Sequence, residues 1–236
     1  MKKYEFTGEE KVIDTHTLHR IRAVRDFGAV KAGDLGGWIE GEDNLSHDGM
    51  AWVGGEAQVT GTALIEGNAR VSGNARVGDE ARVTGTALIE GNARVSGNAR
   101  VGDNARVGDN AFVIDAALVY GNARVTDIAF VGGDARVCGN ALVEGNALVE
   151  GNALVEGNAL VEGNADFSII GGFGRIFRTT TFFRCQDGKV RTQCGCFYGD
   201  LDEFRAKVKE THGESKMAKE YLMIADLMEM HFAKEG

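Results

Sequence analysis

The chain has 236 residues, 34 glycines and no proline, where average usage would place roughly a dozen prolines. Glycine without proline argues against collagen, proline-rich linkers and low-complexity tails; it suits a chain that turns often while using nearly every backbone N–H, since proline has none to donate. A net charge of −9 argues against general nucleic-acid binding, which needs a basic surface.

No apolar run approaches the ~18 residues of a membrane span, and the opening MKKYEFTGEEKV lacks the apolar centre of a signal peptide. Cys138, Cys185, Cys194 and Cys196 are spaced too irregularly for a disulfide framework. A cytoplasmic protein with reduced thiols, and no membrane association, is the expectation.

Residues 1–34 do not repeat; strand-like pieces at 3–6 and 18–24 make them a candidate N-terminal cap. From residue 35 to 166 a six-residue period takes over. Valine or isoleucine recurs at every sixth position from Val53 to Val161, with Phe167 next, and alanine does so from Ala51 to Ala165 without insertion. Looser units at 35–40 and 41–46 place Leu35, Ile39 and Leu45 at apolar positions. In Ala-x-Val, alternate side chains point to opposite sides of a strand, so Ala and Val share a face. The following Gly-Asn or Asp-Asn tolerates positive φ and makes a corner. Coils built this way bury Ala and Val and pair their backbones with the coils above and below, which leaves little room for proline. Residues 60–83 and 84–107 differ only at Glu80 against Asn104, and 143–166 is VEGNAL three times followed by VEGNAD. A unique active site is hard to place in coils that copy one another.

Past Phe167 the repeat stops. Residues 178–185 and 190–197 read as two strands, with Asp187-Gly188 as a type I′ turn; that register sets Cys185 opposite Val190 and Cys194 opposite Thr181. Asp200 with Glu203 reads as a capping box, Leu201, Phe204 and Val208 as a helical stripe, and Gly213 as its stop. A second helix over 215–232 carries Met217, Tyr221, Ile224, Met228 and Phe232 on one face. The expected division is thus a cap (1–34), a repeat (35–166), a hairpin cap (167–199) and a two-helix element (200–236).

Units such as Val95-Ser96-Gly97-Asn98-Ala99-Arg100 resemble the hexapeptide repeat of left-handed parallel β-helices, a known solenoid signature. The resemblance implies an all-β solenoid, a left hand and three units per coil, hence about seven coils of 18 residues. The stretch from Ala23 to Ser46 containing VKAGDLGGWIE, and the tail TTTFFRCQDGKVRTQCGCFYGDLDEFRAKVKETHG, resemble the two ends of hexapeptide-repeat proteins of bacteria and their phages. That implies a phage or prophage origin and a bacterial host cytoplasm.

Hexapeptide acyltransferases share the fold and use a catalytic histidine near the coils. Residues 48–211 contain no histidine, so His47 is the one candidate in the repeat, at a position where an inward aliphatic residue belongs. Carbonic anhydrases of the same fold need three histidine ligands that the coils lack; no metal and no cofactor are expected. The outward residues stack, at a spacing of 18, into columns of Arg70–Leu88–Arg106–Arg124–Leu142, Arg76–Arg94–Phe112–Phe130–Leu148 and Arg82–Arg100–Leu118–Arg136–Leu154. Asp79, Asp103, Asp109, Glu66 and Glu90 are placed to neutralise these arginines. The alternative is a binding face of Arg70, Arg76, Arg94, Arg100, Arg106, Arg124, Phe112 and Phe130.

Outward Leu142, Leu148, Leu154 and Leu160, with Tyr221 and Met228 of the second helix, are the candidate oligomer interface, for a trimer by family analogy or a dimer. The functional expectation is a non-catalytic protein that acts by binding, as an assembly scaffold or an inhibitor of a host protein. The alternatives are an acyl-CoA-dependent acyltransferase and a protein that sequesters an anionic, nucleotide-like ligand between subunits.

Overall fold

The computed structural model describes residues 1–233. Each six-residue unit forms a two-residue strand, such as Arg94–Val95 or Arg100–Val101. Each strand pairs in parallel with the one 18 residues away: Arg94 with Phe112, Arg100 with Leu118, Arg106 with Arg124. Three units close a coil, and the coils stack three sheets into a parallel β-solenoid of about seven coils, followed by two helices. The three outward columns stand in the expected register, and Leu160 extends the first of them.

The inward alanines from Ala51 to Ala159 and valines or isoleucines from Val53 to Val161 are at most 1% exposed. Each buried methyl or methylene adds roughly 0.8 kcal/mol of transfer free energy, so the core is a sum of many small, equal layers. The frame fails at its ends. Leu35 is 54% exposed, because the first coil takes its apolar wall from Ile39 and Leu45 instead. Ala165 is exposed, because a turn at Asn164–Asp166 lifts the chain out of the coil.

The corners obey one rule. Every sixth residue from Gly49 to Gly157 has positive φ, and each is glycine or aspartate. At Gly91 an added Cβ would lie 2.8 Å from the backbone of Asp109 in the next coil. Asp79, Asp103, Asp109, Asp115 and Asp127 take the same conformation, with φ of 54–59°, a region where aspartate is enriched. Their carboxylates are used at once: Asp79 accepts the Gly97 N–H at 2.9 Å, Asp103 that of Gly121 at 3.0 Å, and Asp115 that of Gly133 at 3.0 Å. The next residue builds side-chain ladders, with Asn104–Asn122–Asn140–Asn158 linked amide to amide at 3.1 Å. Within one unit Asn92, Arg94 and Ser96 donate to Asp109, Ala111 and Val113 of the next coil, and Ala93 closes its own turn onto Glu90. Proline would delete one bond at any of these four positions.

Both ends are closed. The strands β1 (Tyr4–Ile13) and β2 (His16–Ala23), longer than the expected pieces, form a hairpin whose second strand pairs antiparallel with Leu35–Ile39. Beneath it, the buried Asn44 side chain donates to Gly61 O and Ala63 O at 3.0 and 2.8 Å, supplying donors that a preceding coil would have supplied. At the other end stands a four-stranded antiparallel sheet: Phe167–Phe173, Arg178–Arg184, Val190–Cys194 and Phe197–Asp200. The expected hairpin register is corrected by one residue, to Arg184 with Val190 and Thr180 with Cys194. A type I′ turn needs positive φ at both Asp187 and Gly188; only Gly188 has it, and the Asp187 carboxylate accepts the Lys189 N–H at 3.0 Å. The loop is therefore longer and ends in a glycine bulge.

Alternation along Arg178–Arg184 joins two cores. Phe183 packs into the end of the solenoid, and Phe182 faces the helices. Helix α1 (Leu201–His212) opens on the expected capping box, Asp200 accepting the Glu203 N–H at 3.0 Å and its own N–H reaching the Glu203 carboxylate at 2.8 Å. Helix α2 (Lys216–His231) is capped by Ser215, and Arg205 of α1 grips Asp226 of α2 at 2.9 Å.

Val101→Asp places an unpaired carboxylate in this core, a cost of several kcal/mol, so the protein is expected to melt far lower or to be recovered unfolded. Arg100→Ser, one residue away and outward, is expected to leave the melting temperature nearly unchanged. Equal melting temperatures by circular dichroism would contradict the inward–outward assignment.

Candidate functional site

The outward arginines lie on two-residue strands whose partner side chain is buried, so the guanidinium has nowhere to go but solvent. Arg70, Arg76, Arg94, Arg100, Arg106 and Arg124 are all exposed. Among the described residues none of them lies within 4.0 Å of a carboxylate. The expected acids Asp79, Asp103, Asp109, Glu66 and Glu90 form no ion pair with them; the carboxylates of the first three turn to the corner amides of the next coil. The arginines instead stack on one another, Arg76 beside Arg94 and Arg82 beside Arg100, an arrangement of like charges that costs free energy in isolation.

Further along the second column the chemistry changes. Arg94 lies over the Phe112 ring at 5.6 Å, and Phe112 stacks on Phe130 at 6.4 Å. Phe112 and Phe130 are half-buried by this stacking, as are Leu142, Leu154 and Leu160, while Leu148 is exposed. The outward columns thus run from mostly arginine toward the N-terminus to mostly apolar residues toward the C-terminus, with Arg124 and Arg136 interrupting the apolar part.

Tyr221 and Met228 do not join this face. They are 6% and 4% exposed and pack with Phe182, Phe204 and Phe232, because the open face of the antiparallel sheet needs covering. Helical spacing marked them as one face of α2 but not which neighbour covers it. The outer face of α2 carries Met223, Leu227 and Met230 instead, 72%, 50% and 70% exposed.

His47 is held under the N-terminal cap. Its ring stacks on Tyr4 at 4.3 Å, its Nδ1 accepts the Lys3 N–H at 3.3 Å, and its Nε2 is buried without a partner. Burial lowers its pKa despite the nearby Glu42. Tyr4 Oη donates to Leu45 O at 2.9 Å, and burial raises its pKa. Lys3 is buried alongside, its Nζ 3.4 Å from Asp48 O, and desolvation followed by the Arg25 charge lowers its pKa to about 8.

A row of acidic side chains whose pKa values are raised runs up one corner into the C-terminal cap. Tyr120 bonds Cys138, which pushes the tyrosine up to about 12, and burial raises Cys138 and Glu156. Tyr198 is pushed to about 12 and Cys185 is raised, both chiefly by burial. Protonated, buried thiols are poor nucleophiles. Among the described residues no three His, Cys, Asp or Glu side chains are grouped to hold a metal.

Two measurements check these environments. Lys3→Met is expected to raise the melting temperature at neutral pH. The unfolded lysine keeps its proton to about pH 10.4 and the folded one only to about 8, so the gain is full below pH 8 and shrinks as the pH rises between those values; a gain that grows with pH would contradict the buried cation. Under native conditions a disulfide reagent is expected to label exposed Cys196 first and to reach Cys138 and Cys185 only after unfolding.

The family model described as YdcK Beta solenoid repeat matches residues 93–109 and 135–151. A search of the curated proteins found no match. Both matched stretches are stacked units of the coil, and with the parallel pairing they identify the chain as a β-solenoid repeat protein, similar in those segments to the YdcK repeat.

Proposed function

We propose that this chain is a left-handed hexapeptide-repeat β-helix of the phage or prophage type that works by binding, as an assembly scaffold or an inhibitor of a host protein in the bacterial cytoplasm. The unbroken six-residue frame and the pairing at 18 residues support the repeat class, and the resemblance of both non-repeating ends supports the source. The observation that carries the binding reading is the division of the outer faces into unpaired arginines and an apolar run ending at exposed Leu148. Contiguous apolar surface of this kind marks interfaces. Copies of the chain associate, as a trimer or a dimer, through the face of Phe112, Phe130 and Leu148; Leu142 with Leu160, and Leu154, stand on the other two faces. The outward arginines are then left for an acidic protein surface.

Acyl transfer is disfavoured by the setting of His47. A general base must reach the proton it abstracts, and here one ring nitrogen holds the Lys3 amide while the other is buried. Sequestration of a nucleotide-like anion draws support from the same unpaired arginines, Arg76 with Arg94 and Arg82 with Arg100.

Native mass spectrometry at micromolar concentration is expected to give a multimer of the chain. Phe130→Glu with Leu148→Glu is expected to give a monomer that keeps the far-ultraviolet circular dichroism of the unaltered protein. A monomer from the unaltered protein would contradict the interface. A retained CoA species, with transfer abolished by His47→Ala, would replace binding by catalysis; a retained nucleotide lost in Arg94→Gln with Arg100→Gln would favour sequestration.

A further inference from the structure

The C-terminal cap contains a cleft of about 350 Å³ between α1 and two turns of the antiparallel sheet. It is lined by Phe197, Phe204, Val208 and Tyr221, with Thr211 and His212 of α1 beside them. Phe204 and Tyr221 are buried and set edge to face at 5.9 Å, and His212 stacks on Tyr221 at 5.9 Å. The interior is thus apolar and aromatic, and its volume is at the lower end of small-molecule sites.

The charges at its mouth are of one sign. Arg175, Arg178 and Lys207 line the cleft, and no carboxylate does. Lys207 is answered by Glu210 at 2.9 Å on the outer side of α1. Among the described residues Arg175 and Arg178 have no carboxylate within 4.0 Å. The Arg178 guanidinium lies against Gly195, where a Cβ would collide with it, so glycine at that turn makes room for the side chain beside the cleft it lines. A guanidinium on an apolar cleft offers paired donors to a carboxylate, phosphate or sulfonate.

We infer that this cleft binds a small amphipathic anion, with its apolar body against Phe197, Phe204, Val208 and Tyr221 and its anionic head on Arg175 and Arg178. The site lies off the solenoid faces and is independent of the interface proposed for them.

The test titrates the full chain with anilinonaphthalene sulfonate, an aryl sulfonate that fluoresces in apolar sites, and with phenylnaphthylamine, its uncharged counterpart. On the unaltered protein the sulfonate is expected to saturate one site per chain and to bind about tenfold or more tighter than the uncharged probe. Arg175→Gln with Arg178→Gln is expected to weaken the sulfonate by a similar factor at unchanged melting temperature, and Thr211→Trp, which narrows the mouth, to remove the site. Equal affinity for the two probes overturns the inference without any variant. So does sulfonate binding that survives both Thr211→Trp and loss of the arginines; Arg175→Gln alone serves if the double variant does not fold.

Discussion

Stacking in this molecule rests on the corner at every sixth residue. The chain must turn through positive φ there, close beneath the backbone of the next coil, and the residues that do so are glycine and aspartate. Glycine answers with the absence of a side chain. Aspartate answers with a carboxylate that binds the corner amide one coil on. Because the corners recur without slippage, Ala and Val return to the same inner wall, and every outward residue stands in line with those 18 positions away. The faces, the columns and the division of the rod all follow from that repeat.

A stack of identical layers has no natural end, and an open coil is an unpaired sheet edge. The two ends solve this with different chemistry. Asn44 supplies side-chain donors to Gly61 and Ala63, and the hairpin above it buries Tyr4 and Lys3. At the far end the strand Arg178–Arg184 places Phe183 on the last coil and Phe182 under the helices. Arg184 ties these layers together through Asp166 at 2.8 Å and Phe232 O at 3.1 Å. The caps are where side chains distant in sequence meet, and therefore where a concave site arises.

The repeat was legible because its physics is local: Ala-x-Val decides a face within three residues, and Gly-Asn decides a corner. The columns followed from the period, and the capping box at Asp200 and Glu203 from four residues. What stayed hidden depended on choices between partners. Asp79, Asp103 and Asp109 had arginines and amides within reach, and nothing in their spacing indicates that the amide wins. Asp187-Gly188 suits two turn types, and the bond from Asp187 to Lys189 selects the longer one. Tyr221 and Met228 declared an apolar helix face without saying that a sheet, of which two strands went unread, would cover it. The cleft draws on residues from Gly174 to Tyr221 and has no sequence signal beyond a few cations among aromatics.

Residue-resolved amide hydrogen exchange tests the corner chemistry most directly. The corner amides of Gly97, Gly121, Gly133 and Gly145 each meet an aspartate carboxylate from the preceding coil, whereas those of Gly85 and Gly91 follow Gly67 and Gly73 and meet none. Slow exchange at the first four and fast exchange at the other two is the predicted result. Uniform exchange at all six corners, or protection in the reverse order, would contradict the account.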